Sequence, residues 1–171
     1  MNVRPFQGKA PRLGRDAWVA DNAVVIGDVT LGVRASIWFG CVLRCEGQPI
    51  VIGDETNIQD NSVIHVTNAR IGTKVGARVT VGHKVMLHGC TIGDDCLICI
   101  GSIVLDGAQI GSESIVAAGS LVSPGTQIPP RVLALGSPAR VKRPLTDAEL
   151  AAVRENAADY VRLAALYRAG G

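Results

Sequence analysis

Only three histidines occur in the chain, His65, His83 and His88. An imidazole is the side chain best suited to bind a divalent ion or to move a proton near neutral pH. His65 directly follows Ile64, His88 directly follows Leu87, and His83 stands two places after Val81. Three such donors around one ion, with a fourth position open, form a catalytic zinc-type centre, and the ion brings the pKa of its water toward neutrality. Whether these three meet depends on the scaffold that carries them.

The scaffold is written in a six-residue period. Ile92, Ile98, Val104, Ile110, Val116, Val122 and Ile128 form an unbroken run, and Val19, Val25, Leu31, Ile37 and Leu43 form a second. Shorter runs are Ile52, Ile58, Ile64 and Val75, Val81, Leu87. Compact residues follow four places after the anchors, among them Ala23, Ala35, Cys41, Gly47, Cys96, Ser102, Ala108, Ser114 and Ser120. Neither a helix nor an alternating strand has this period. It is the signature of a parallel β-helix of hexapeptide repeats. Similarity to known hexapeptide solenoids implies a triangular prism, three short strands per turn, wound left-handed. The expected fold class is therefore an all-β solenoid, a left-handed parallel β-helix of about six coils counted from eighteen anchors. The runs break between Leu43 and Ile52 and between Ile64 and Val75, where loops or irregular corners are expected. The step from Leu87 to Ile92 is one residue short and predicts a tightened corner.

In this register Leu43, Ile64 and Leu87 share a prism face in successive coils. Arg44, His65 and His88 each come one residue later and point outward if the anchors point inward. His65 and His88 would then stack at roughly the 4.8 Å strand spacing, close enough to converge on one ion. His83 falls on a different face, with Asp60 in the matching place one coil earlier. A threefold oligomer would bring His83 of one subunit to His65 and His88 of another. The count alone leaves a second reading open, in which the three histidines are unrelated.

Composition narrows the class. A length of 171 residues suits one domain, and 20 glycines with 4% aromatics suit tight corners around an aliphatic filling. The net charge of +2 is spread along the chain, with no basic stripe for nucleic acid. No apolar run reaches the length of a membrane span, and the N-terminus lacks an apolar signal core. Five irregularly spaced cysteines fit a reduced, cytoplasmic protein. Cys96 and Cys99 form a lone Cys-x-x-Cys whose members point differently in this register, so no redox or zinc-knuckle role is assigned to them. Trp38 is expected at a subunit contact, or else as a surface aromatic. Residues 1–143 read as the β-helix domain and 144–171 as a C-terminal helical piece. There Thr146-Asp147-Ala148-Glu149 forms a capping box after Pro144. Leu150, Val153, Ala157, Tyr160, Val161, Ala164 and Tyr167 share one helical face. A helix from about Asp147 to Arg168 is expected to lie against the prism or a neighbouring subunit.

Several segments together resemble the bacterial branch of the γ-class carbonic anhydrase family. They are Val42-Leu43-Arg44, Thr56-Asn57-Ile58-Gln59-Asp60, His65-Val66-Thr67, Val79-Thr80-Val81-Gly82-His83, Leu87-His88-Gly89-Cys90, Val104-Leu105-Asp106-Gly107-Ala108 and Gly136-Ser137-Pro138-Ala139. The likeness runs from about residue 10 to 168. It implies a homotrimer with metal sites at its interfaces, His65 and His88 from one subunit and His83 from the next. It implies Zn2+, with Fe2+ or Co2+ as alternatives, and attack of a metal-bound hydroxide on carbon dioxide to give bicarbonate. Gln59 would position the nucleophile or bicarbonate, and Arg44 and Asp60 would form interface ion pairs that hold the ligands.

Two features depart from the family pattern. After Leu-Arg the family has Gly-Asp, whereas this chain has Cys45-Glu46. Glu46 keeps the catalytic carboxylate on a longer arm, and Cys45 introduces a thiol beside it. The acidic loop of the best-known catalysts has no counterpart in Val66-Thr67-Asn68-Ala69-Arg70-Ile71-Gly72. Two other functions use the same solenoid. One is acyl transfer or acyl-CoA thioester hydrolysis, which needs a single histidine as general base. The other is a non-catalytic trimeric scaffold with a vestigial metal site.

Overall fold

A computed structural model of the chain describes residues 2–67 and 70–170. It is a parallel β-solenoid with three faces, followed by one helix. Each face is a ladder of aliphatic anchors in exact register. The first stacks Val19, Ile37, Ile58, Val81, Ile98, Val116 and Ala134. The second stacks Val3, Val25, Leu43, Ile64, Leu87, Val104 and Val122. The third stacks Leu13, Leu31, Ile52, Val75, Ile92, Ile110 and Ile128. Seven rungs per face make seven turns, against the six expected. The additions are Val3 and Leu13 at one end and Ala134 at the other. A turn bridged by Phe6 and Lys9 separates the first two, and Ala134 is too small to announce itself as an anchor.

Interior anchors are almost wholly removed from water; Leu43, Ile58, Ile64 and Leu87 are all 0% exposed. Burying each such side chain contributes about 1.5–3 kcal/mol. The compact residues at the corners also point inward, and the hydroxyls among them stitch coils together. Ser62 donates to the Gly82 carbonyl at 2.9 Å and accepts from the Val85 amide at 3.0 Å. Thr56 does the same between Gly76 and Val79.

The first break in the period is not a loop. Val42–Ile52 is one continuous strand that absorbs the extra residues, and Ile50 rather than Gly47 stands opposite Val29 in the core. The second break is irregular, with an antiparallel bridge between Thr67 and Ile71; Asn68 and Ala69, part of the acid-free stretch, lie outside the described residues. The short third step is the tightened corner that the count predicts, turning through Gly89 at φ +57°.

One corner carries a column of side chains at φ 53–61°: Arg34, Glu55, Arg78, Asp95, Glu113 and Arg131. Left-handed backbone is costly for such residues, and coil-to-coil bonds offset the cost. Each donates its amide to the coil before, and charges alternate along most of the column. Asp95 and Glu113 interrupt the alternation, and Arg154 of the helix reaches both.

The helix spans Asp147–Arg168 with the capping box formed by Thr146 and Glu149. It lies against the first face of its own solenoid. Leu150, Val153, Ala157 and Ala164 are buried beneath it. Trp38 is neither a subunit contact nor a surface aromatic. It is 3% exposed and packs against Trp18, Tyr160 and Tyr167 with ring centroids 4.8–5.4 Å apart.

Candidate metal centre

His65 and His88 are register partners on the second face. Their anchors Ile64 and Leu87 point into the core, so both imidazoles point out. The rings tilt toward each other, with His65 Nδ1 and His88 Nε2 3.1 Å apart. The other nitrogen of each ring meets a carboxylate. Glu46 Oε2 is 2.9 Å from His65 Nε2, and Asp106 Oδ1 is 2.8 Å from His88 Nδ1. Burial pushes the His65 pKa down, helped by the Arg44 guanidinium and by His88 and opposed by Asp106. A neutral imidazole that donates one N–H to a carboxylate presents a lone pair on its other nitrogen.

With each ring's N–H on its carboxylate, the two facing nitrogens would offer lone pairs across a span that fits an ion. Two imidazole nitrogens bound tetrahedrally to one zinc-sized ion at about 2.05 Å are about 3.3 Å apart. Nitrogen donors of this kind suit zinc, iron or cobalt better than magnesium or calcium. The backbone beneath is fixed by Thr73, which is buried. It donates its hydroxyl to the His65 carbonyl and accepts from the Gly89 amide at 2.9 Å.

His83 is placed elsewhere. It stands at the corner beyond Val81 on the first face, with Nδ1 3.0 Å from Asp60 Oδ2. Among the described residues, no three His, Cys, Asp or Glu side chains are placed to hold one ion within a single chain. The sequence-predicted residues thus form two groups. Arg44, Glu46, His65 and His88 belong to the first, with Arg44 and Glu46 paired to each other. Gln59, Asp60 and His83 belong to the second.

Gln59 is 5% exposed, and its amide donates to Asn57 Oδ1 at 3.1 Å. Asn57 donates to Thr80 Oγ1 at 3.0 Å, and Thr80 donates to Asn156 Oδ1 of the helix, also at 3.0 Å. Gln59, Thr80, Leu97, Cys99 and Asn156 line a cavity of about 360 Å³. Sequence reasoning gave no role to Asn57, Thr80 or Asn156. The signal for Asn57 and Thr80 was faint, polar residues on outward strand positions of a face the helix covers, and Asn156 lies on the helix itself.

Cys45 does not enter the site. It points inward, 2% exposed, and its thiol donates to the Gln48 carbonyl at 3.1 Å, while Arg44 and Glu46 on either side point out. Alternation along an extended strand dictates this. All five cysteines are free; Cys96 is buried and Cys99 faces outward, as their register requires.

The family profile described as "Bacterial transferase hexapeptide (six repeats)" matches residues 89–124. A carbonic anhydrase of Geobacillus kaustophilus is 43% identical over 168 residues, which are 98% of this chain and 91% of that protein. The chain belongs to the γ-class carbonic anhydrase family. The mitochondrial gamma carbonic anhydrase 1 of Arabidopsis thaliana is 44% identical over 94% of this chain, and the chain spans 60% of that relative's length. Among solved structures, a hexapeptide transferase family protein from Anaplasma phagocytophilum superposes with a TM-score of 0.93. It is 39% identical and covers 97% of this chain and 98% of its own. Within the γ-class family, Cys45-Glu46 is accommodated by turning the thiol into the core and leaving the carboxylate at the histidine.

Proposed function

We propose that the chain is a carbonic anhydrase that interconverts carbon dioxide and bicarbonate at metal sites shared between the subunits of a homotrimer. The observation that carries this reading is the facing pair His65 Nδ1 and His88 Nε2, which leaves a two-nitrogen donor set one ligand short. His83, itself oriented by Asp60, is the donor that a neighbour would supply.

The second face supports a partner there. The outward residues before its anchors, Val24, Val42, Val63, Met86, Ile103 and Leu121, form a continuous apolar stripe beside the histidines. The third face carries Arg12, Thr30, Lys74, Thr91, Gln109 and Gln127 in the equivalent places, with Val51 as the one apolar member. An apolar stripe flanking half a site fits a second copy of the chain.

His65, His83 and His88 would hold Zn2+, or Fe2+ or Co2+ in its place. Bound there, the ion supplies a hydroxide nucleophile near neutral pH and the charge that steadies it. Gln59, held by Asn57, would position the nucleophile or bicarbonate. Glu46 orients His65 and is tethered by Arg44. Five free cysteines fit a reducing compartment such as the cytoplasm, and no helix is long and apolar enough to cross a membrane.

The test is metal per chain together with stopped-flow carbon dioxide hydration on one reduced sample. About one metal per subunit with metal-dependent turnover supports the reading. A protein that takes up no zinc, ferrous iron or cobalt contradicts it. One observation favours acyl transfer or thioester hydrolysis instead: His83 with Asp60 is a general-base pair, adjoining Gly82 at the cavity. Acetyl-CoA hydrolysis by metal-free protein, lost in His83→Ala, would establish that activity.

A further inference from the structure

Asp106 has no role in the sequence reading, yet it is the carboxylate in contact with His88. It reaches the site from the following coil, just past Leu105, while His88 stands one residue past Leu87; the anchors Leu87 and Val104 are register partners. Oδ1 of Asp106 lies 2.8 Å from His88 Nδ1 and also accepts the Thr67 hydroxyl. Its side chain is 35% exposed, so it takes part in no core packing.

The backbone makes room for this contact. Gly89 turns the tightened corner at φ +57°, and a Cβ there would stand 2.5 Å from Asp106 Oδ1 and 2.7 Å from Thr67 Oγ1. Any side chain at 89 would push apart the two groups that meet over it. The short step from Leu87 to Ile92, the glycine at its turn, Thr67 and Asp106 therefore all serve one hydrogen bond to His88.

The consequence for His88 is a choice of tautomer. A carboxylate at Nδ1 favours the proton there and leaves the Nε2 lone pair free, and Nε2 is the atom that faces His65. With the opposite tautomer His88 would turn an N–H toward the ion. We infer that Asp106, steadied by Thr67 and admitted by Gly89, is a positioning residue that fixes His88 as the Nδ1–H tautomer and so presets it as a metal donor. The inference rests on the metal reading of His65 and His88, and its main readout does not depend on metal.

That readout is the nitrogen NMR spectrum of the His88 ring in metal-free protein near pH 8. Wild type should show the Nδ1–H form, and Asp106→Ala should shift the ring toward Nε2–H. A chelator competition with Zn2+ should then show affinity weakened by about 10- to 100-fold, the usual effect of removing a ligand's hydrogen-bond partner. Thr67→Val, which keeps the shape and removes the hydroxyl, should shift both readouts in the same direction by less, and it decides the question should Asp106→Ala fail to fold. An unchanged tautomer and unchanged zinc affinity in the folded variants would overturn the inference while leaving the metal reading intact. Wild type that binds no zinc would defeat the metal reading, and the tautomer measurement would still report on Asp106.

Discussion

His65 and His88 are 23 residues apart in sequence, yet their facing nitrogens are 3.1 Å apart because Leu87 stacks on Ile64 in the next coil. Histidine placement and core packing are thus one relation. Replacing either imidazole, His65→Ala or His88→Ala, should weaken zinc binding by more than the roughly 100-fold typical of a lost outer partner. Both side chains point outward, so stability of the metal-free protein should change by no more than about 0.5 kcal/mol. Chelator competition and urea denaturation check the two halves of this prediction.

The anchors beneath the site should behave oppositely. Leu87 is 0% exposed, and Leu87→Ala should cost about 2–5 kcal/mol in urea denaturation. Because the strand that presents His88 would loosen, zinc affinity should fall as well. A variant with full stability would contradict the packing described for the second face.

Arg154 answers the one place where the corner column sets acid next to acid, Asp95 and Glu113. Arg154→Glu would put a third acid there. Exposed ion pairs are worth at most about 1 kcal/mol each, so a loss of about 1–2 kcal/mol is expected, shrinking in high salt. Thermal denaturation at low and high ionic strength reads this directly.

Acid should loosen the start of the helix. The Glu149 carboxyl is held down to about 2, first by the Arg143 guanidinium and then by the Thr146 amide and hydroxyl, against an ordinary 4.5. A depressed carboxyl contributes stability that is fully present above its unfolded pKa and is lost as pH falls toward the folded one. Helix docking should therefore weaken between pH 4.5 and about 2. In Glu149→Gln that part of the acid dependence, followed by tryptophan fluorescence from Trp18 and Trp38, should be flat.

Much of this was legible because the solenoid repeats. Once Ile64 and Leu87 are anchors of one face, His65 and His88 must be outward neighbours. Cys45 was instead expected beside the Glu46 carboxylate, although strand alternation sends its thiol inward. The helix was legible from the Thr146–Glu149 capping box and the spacing of its apolar face. What escaped lay where the period carries no information. Val3 and Leu13 are separated by an irregular turn, and Ala134 fills an anchor position with a small side chain. Val42–Ile52 runs straight through a corner, which a count of anchors registers only as a gap. Trp38 is covered by a helix far along the chain, and Asp106 reaches His88 only because Gly89 shortens one corner. Those two depend on side-chain contacts that spacing does not specify.

The most direct test of the shared centre is subunit complementation. His83→Ala keeps the His65 and His88 pair, whereas His88→Ala keeps His83, and neither protein alone should hold zinc tightly. Unfolded together in equal amounts and reassembled, they should regain about a quarter of the wild-type sites, the fraction that random assortment in a cyclic trimer gives one intact set of three donors. Carbon dioxide hydration should return in the same proportion. A mixture that binds no more zinc than its separate components would contradict the sharing of His83 between subunits.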